Sequence, residues 1–193
     1  MPRRKTLPDD EVLAAALGLM REAGPDGLTF AGLAAATGLS GATLVQRFGG
    51  KAALQRAVLL HAWDSLDRRT ATLAETVPRT PAGAIRLLVG LSQDYGDIDR
   101  YAEGLLVLRE DLKDPVLRAR GAAWRDALSV ALDGRFAGVP GAPQGVGLML
   151  AAQWQGALLW WGFDPREPVE RYVEKTLRRF VAAIVNRGKL SVG

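Results

Sequence analysis

The sequence predicts an all-α protein, with an amino-terminal three-helix head containing a helix-turn-helix, a long fourth helix, and a helical body. That makes about nine helices in all. Three observations predict it. Apolar residues recur at spacings of three and four along nearly the whole chain, which is helical periodicity. Cap-then-proline pairs at Thr80-Pro81 and Asp114-Pro115 mark helix starts. No segment alternates polar and apolar residues as a half-buried strand does.

Taken in order, the first helix is expected from about Asp9 to Ala23, with Val12, Leu13, Ala16, Leu17, Leu19 and Met20 as its apolar stripe. Thr6 and Asp9 suit a capping pair, and Gly24-Pro25 stops the helix. Residues 29–58 then read as helix, tight turn, second helix and the start of another. Leu33 and Leu39 flank a turn built on Gly38, where only glycine turns left-handed without strain. Ser40 suits the N-cap of the next helix. Leu44 and Phe48, four apart, face the core and leave the opposite face open. A long fourth helix starts near Gly50 and ends before Pro78, linking head to body. Further helices are expected at about 81–96, 99–112, 115–136, 144–162 and 167–187, with a Gly/Pro-rich loop from Gly134 to Gly147.

Composition excludes several classes of function. The 193 residues, 48% of them hydrophobic, suffice for one large or two small domains. Zero cysteines exclude disulfides, thiol catalysis and thiolate metal sites. No apolar run is long enough to span a membrane. The opening Met-Pro-Arg-Arg-Lys is followed by no apolar signal core, so a cytoplasmic protein is expected. His61, the lone histidine, sits on the apolar side of the fourth helix and reads as packed or hydrogen-bonded. Glu110 and Asp111, Asp97 and Asp99, and Glu170 and Glu174 read as solvated faces or caps. No nucleophile, base and orienting group assemble, no phosphate loop appears, and no ligand spacing suits a metal. An enzyme, a cofactor and a metal are therefore not expected.

Charge placement says more than the net +4. No acidic residue occurs from Gly27 to Trp63, whereas Arg47, Lys51 and Arg56 do, which is the charge a phosphate-facing surface needs. Two short helices at this spacing form the motif whose second helix enters the major groove.

From Thr29 to Leu54 the chain resembles the TetR family of transcriptional regulators. Thr29, Ala34, Gly38, Ser40, Thr43, Leu44, Phe48, Lys51 and Leu54 stand at the positions of that family's amino-terminal pattern. The rest of the chain resembles the family in layout. Three residues depart from the pattern: Ala42 stands for the usual glycine, Val45 for tyrosine and Arg47 for histidine. The tyrosine of such proteins hydrogen-bonds a phosphate; Val45 cannot, and Arg47 offers a charged donor in its place.

The resemblance implies a dimeric, ligand-responsive DNA-binding regulator, a repressor of a pseudo-palindromic operator. Its helix-turn-helix domain would span 1–50 with a basic arm at 1–8, and its effector-binding and dimerisation domain 51–193. It would be nucleoid-associated when bound to DNA. The expected DNA-binding residues are Thr29, Ser40, Gly41, Ala42, Thr43, Val45, Gln46, Arg47 and Lys51, with an arm of Arg3, Arg4 and Lys5 for the minor groove. Thr43 and Gln46 could read base edges, Gln46 pairing with adenine. For a small effector of unknown identity, the expected pocket is Tyr95, Leu106, Arg109, Trp124, Gln153 and Trp154, with Gln155 as a further polar group. The expected dimer face is Val146, Met149, Leu150, Leu158 and Trp161 on one helix, and Val169, Val173, Thr176, Phe180 and Ile184 on the last. Two other readings compete: a non-specific, architectural DNA binder, and an effector-binding helical protein with a degenerate head.

Overall fold

A computed structural model describes residues 7–190. The described residues form nine α-helices and one 3-10 turn, with no strand. They are α1 (Asp9–Gly27), α2 (Phe30–Thr37), α3 (Gly41–Phe48), α4 (Lys51–Thr76), α5 (Pro81–Ser92), the 3-10 turn (Gln93–Tyr95), α6 (Ile98–Lys113), α7 (Pro115–Asp133), α8 (Val146–Phe163) and α9 (Val169–Leu190). Contacts group the chain into two compact units, one of residues 1–66 with 102–121 and one of 67–101 with 122–193. This grouping cuts through α4, α6 and α7, and so differs from a division at residue 50.

In the first unit, Val12, Ala16 and Met20 of α1 meet Leu28, Leu33, Leu44, Leu54 and Val58 in one buried cluster that also takes in Leu59 and Leu117. Each of its Val, Leu and Met side chains is worth about 1.5–3 kcal/mol of burial, so this cluster fixes how α3 is held. The α1 stripe expected from the sequence is what forms it. The cap differs from expectation: Pro8 occupies the N-cap of α1 with no side-chain bond, and Thr6 lies outside the described residues. The expected break at Gly24-Pro25 is real, because Ala23 and Gly24 leave helical geometry before one more turn closes at Gly27. That leaves carbonyls without helical partners, and α4 supplies donors. Gln55 Nε2 donates to Pro25 O at 2.8 Å, and Lys51 Nζ to Asp26 O at 3.1 Å.

In the second unit, α9 packs on both α5 and α8. Thr80 caps α5 as expected, accepting from Gly83 N at 3.2 Å. Gly147 lets α8 approach α7 closely: a Cβ there would meet Ser129 O at 2.1 Å, while its own N–H donates to Asp133 Oδ1 at 2.7 Å. Arg135, buried in the turn after α7, donates to Ala131 O at 2.5 Å and Ala74 O at 2.6 Å, tying the ends of α7 and α4. Burial holds its pKa below the usual arginine value, and Arg79 lowers it further.

Candidate nucleic-acid interface

Local hydrogen bonds build the α2–turn–α3 motif. Thr29 caps α2, its Oγ1 accepting from Gly32 N at 3.0 Å. Gly38 ends α2 in the left-handed region at φ 72°, and its N–H returns to Ala34 O at 2.8 Å. Ser40 caps α3, accepting from Thr43 N at 3.1 Å, while the Ser40 and Thr43 hydroxyls share a bond of 2.8 Å. Leu44 is buried and Phe48 half-buried beneath the helix. Ala42, Val45 and Gln46 are exposed on the other side, with Gly41 and Thr43 partly so. Val45 is 48% exposed, an apolar patch in the middle of that face. Caps that accept a backbone N–H through oxygen keep their own O–H, so the Thr29 hydroxyl remains a donor.

The cations are placed otherwise than the charge pattern suggested. Arg47 Nη1 donates to Leu7 O at 2.7 Å and pairs with Asp9 at 3.2 Å, leaving its side chain 24% exposed. Lys51 reaches Asp26 O. Arg56 Nε donates to Asp114 at 2.5 Å, and that bond holds the Asp114 carboxyl below its usual range. The acid-free window was correct as sequence, but two of these three cations meet carboxylates from outside it, and the third a backbone carbonyl. Arg3, Arg4 and Lys5 lie outside the described residues. His61 is largely covered, 3.7 Å from Asp10.

Of the expected effector residues, the second unit brings together Tyr95, Trp124 and Trp154. Ring centroids of Tyr95 and of Trp124 each lie 6.4 Å from Trp154, and Tyr95 stacks edge-on with Tyr101 at 5.6 Å. The indole N–H groups are satisfied: Trp154 donates to Ser92 Oγ at 2.8 Å and Trp124 to Thr70 Oγ1 at 3.1 Å. Burial, then Tyr101, pushes the Tyr95 phenol up to about 12, against a lowering by Arg69. Gln153 is half-exposed and Gln155 exposed on α8. Leu106 and Arg109 do not join this cluster. Both belong to the first unit and are exposed, and Arg109 pairs with Glu110 at 2.9 Å. A cavity of about 310 Å³ opens in the first unit among Met20, Gln55, Leu59 and Leu117, with Arg56, Glu110, Lys113 and Asp114 at its walls. It shares no residue with the expected set.

Asp111 also departs from the expected solvated face. It is buried, accepts from Trp63 Nε1 at 3.1 Å, and desolvation raises its pKa to about 6 although the Trp63 bond lowers it. Asp97 does act as a cap, accepting from Arg100 N at 2.9 Å.

The residues expected at a dimer face lie mostly inside the fold. Val146, Leu150, Leu158, Trp161, Val169, Val173 and Ile184 are all buried within the protomer, and Thr176 and Phe180 half-buried; only Met149 is exposed. α8 has no distinct polar face, so periodicity could not say which side turns inward. The outward side carries Leu148, Met149, Leu159, Trp160 and Phe163, with the Trp160 and Phe163 rings 5.8 Å apart.

Among the described residues, no three His, Asp or Glu cluster as metal ligands, and no helix is long and apolar enough to cross a membrane.

Residues 12–58 match the family described as bacterial regulatory proteins, tetR family. No curated protein matches the chain. Solved structures do. A tetR-family transcriptional regulator from Streptomyces coelicolor superposes with a TM-score of 0.73 at 20% identity, over 96% of this chain and 90% of that one. A transcriptional regulator from Rhodococcus sp. Rha1 gives 0.67 at 23%, over 94% and 97%. A transcriptional regulator from Saccharomonospora viridis, in complex with choline, gives 0.69 at 20%, over 89% and 93%. At such identity these structures show a shared fold.

Proposed function

We propose that this chain, a DNA-binding regulator of the tetR family by the match of residues 12–58, is a repressor that grips a pseudo-palindromic operator as a dimer and is released by a small effector. The observation that carries this is the outer face of α3. Ala42 and Gln46 face away from Leu44, Thr43 and Val45 flank them, and all four are small or neutral, so the helix can enter a groove without steric or acidic opposition.

Gln46 would take adenine through its amide, and Val45 would pack on a thymine methyl, a use of the apolar side chain that needs no phosphate. The first N–H groups of α2 and α3, with the Thr29 hydroxyl, would hold phosphates. Lys51 Nζ gives one of its three protons to Asp26 O and keeps the others for the backbone of the duplex. The functional division is a head of 1–50 and a body of 51–193.

Two heads require a partner, and the outward side of α8 is the surface for it. Trp160 and Phe163, 65% and 75% exposed, would be covered by their two-fold mates. The effector would act in the body, beside the packed Tyr95, Trp124 and Trp154 rings, whose faces attract an organic cation; the choline complex of the Saccharomonospora regulator supports this class. An effector preferring a body conformation unlike the operator-bound one would weaken DNA binding, and DNA would weaken the effector equally. The protein would work in the cytoplasm, on the nucleoid when bound.

Selection of bound sequences from random duplex DNA at near-physiological salt tests the reading, with Gln46→Ala/Thr43→Asp as control. A two-fold motif that the control does not enrich supports an operator-reading dimer. Featureless enrichment would turn the assignment to a non-specific binder, and no enrichment to a degenerate head.

A further inference from the structure

The cavity of about 310 Å³ is lined wholly by residues of the first unit, and its size meets the lower end of the range for small-molecule sites, about 300–1,000 Å³. Exposed Ala52 of α4 and Pro115 of α7 give it an apolar rim, over a floor of buried Met20, Leu59 and Leu117. Those three belong to the cluster that also holds Leu44 beneath α3, so an occupant would rest on the core that supports the reading helix.

The polar wall has more donors to spare than acceptors. Glu110 Oε1 already accepts from Lys113 Nζ at 3.0 Å and from Arg109 Nη1 at 2.9 Å. Asp114 accepts from Val116 N through Oδ1 at 2.8 Å and from Arg56 Nε through Oδ2. Gln55 gives Nε2 to Pro25 O. Arg56, by contrast, donates to the described residues through Nε alone, which leaves both of its terminal NH2 groups, and Lys113 keeps two of its three protons. Both side chains are 52% exposed, so a ligand can reach them from solvent. We propose that this cavity binds a small monocarboxylate with an apolar body: the carboxylate takes the spare N–H groups of Arg56 and Lys113, and the body lies over Ala52, Pro115 and the floor beneath them. A cationic ligand would meet carboxylates that are already paired, beside two cations. The site shares no residue with the Tyr95, Trp124 and Trp154 cluster, and the inference does not rest on DNA binding.

Isothermal titration of the full chain with octanoate, octanamide and octylamine tests this. The proteins are wild type, Arg56→Gln, and Ala52→Trp, which adds bulk at the rim from an exposed helical position. The expected result is one octanoate bound per chain with a Kd of about 1 mM or tighter. Arg56→Gln should weaken it by about tenfold or more, as should exchanging octanoate for octanamide, because each removes a charge-assisted pairing. Ala52→Trp should abolish it. Octanoate that binds either variant as tightly as wild type sits elsewhere, in the body for example, and overturns the proposal. Octanamide or octylamine binding wild type as tightly as octanoate overturns the anion assignment, and octanoate too weak to reach the expected Kd overturns the site. Thermal melts establish folding; should Arg56→Gln be unfolded, Ala52→Trp and the ligand series on wild type still decide.

Discussion

Replacing Asp111 with asparagine should stabilise the protein at neutral pH, and the gain should vanish in acid. Asp111 is 9% exposed and accepts the Trp63 indole N–H, a bond that asparagine Oδ1 can also accept in nearly the same shape. Desolvation raises its carboxyl from 3.8 to about 6. The folded protein thus prefers the protonated form. Its contribution is fully present below the unfolded value near 3.8 and is lost as pH rises through 6, so at pH 7.5 the folded state carries an ionised, poorly hydrated carboxylate. The full shift corresponds to at most about 3 kcal/mol; solvent reaching the edge of the carboxyl should leave about 1–2 kcal/mol. For a chain of this length that is a rise in Tm of roughly 2–8 °C at pH 7.5, shrinking towards zero as pH falls below about 4. Melts of both proteins by circular dichroism from pH 4 to 7.5 measure it. A lower Tm for Asp111→Asn at pH 7.5 than for wild type, with no pH dependence in the difference, would show that the charged form is favoured and refute the reasoning.

Leu44→Ala removes a fully buried side chain beneath α3 and should cost about 2–5 kcal/mol; chemical denaturation showing under 1 kcal/mol would mean that α3 is not held by this core. Gln46→Ala should relax preference at one base pair of each half-site, by about 1–3 kcal/mol, without altering salt dependence; competition with single-substitution duplexes reads this, and uniform loss over all sequences would make Gln46 a backbone contact. Charged replacement of the two exposed aromatics of α8, Trp160→Glu with Phe163→Glu, should leave the fold intact and convert a dimer into a monomer in sedimentation velocity; an unchanged dimer would place the interface elsewhere.

What could be read from the chain alone was what is decided within a few residues. The Thr29, Ser40 and Thr80 caps bond to N–H groups three residues away, Gly38 turns on its own backbone freedom, and Leu44 and Phe48 share a face by helical geometry. The family pattern lies from Thr29 to Leu54, which is why the caps and turn of α2 and α3 were legible to the residue and the body only as helices and their approximate ends.

Tertiary packing decided the remainder, because it sets partners that sequence spacing does not encode. Arg47, Lys51 and Arg56 look like a free basic face in an acid-free window, until Leu7 and Asp9, Asp26 O and Asp114 arrive from 25 to 58 residues away. Asp111 reads as a surface acid on α6 until Trp63 and the packing around it take it out of water. α8 has no distinct polar face, so its periodicity is blind to direction; only tertiary packing, against α9 and its other neighbours, buries Leu150, Leu158 and Trp161 and leaves Trp160 and Phe163 outside. Local bonding and periodicity made the elements and the reading helix predictable, while burial and charge pairing, which depend on which remote segments meet, belonged to the folded structure.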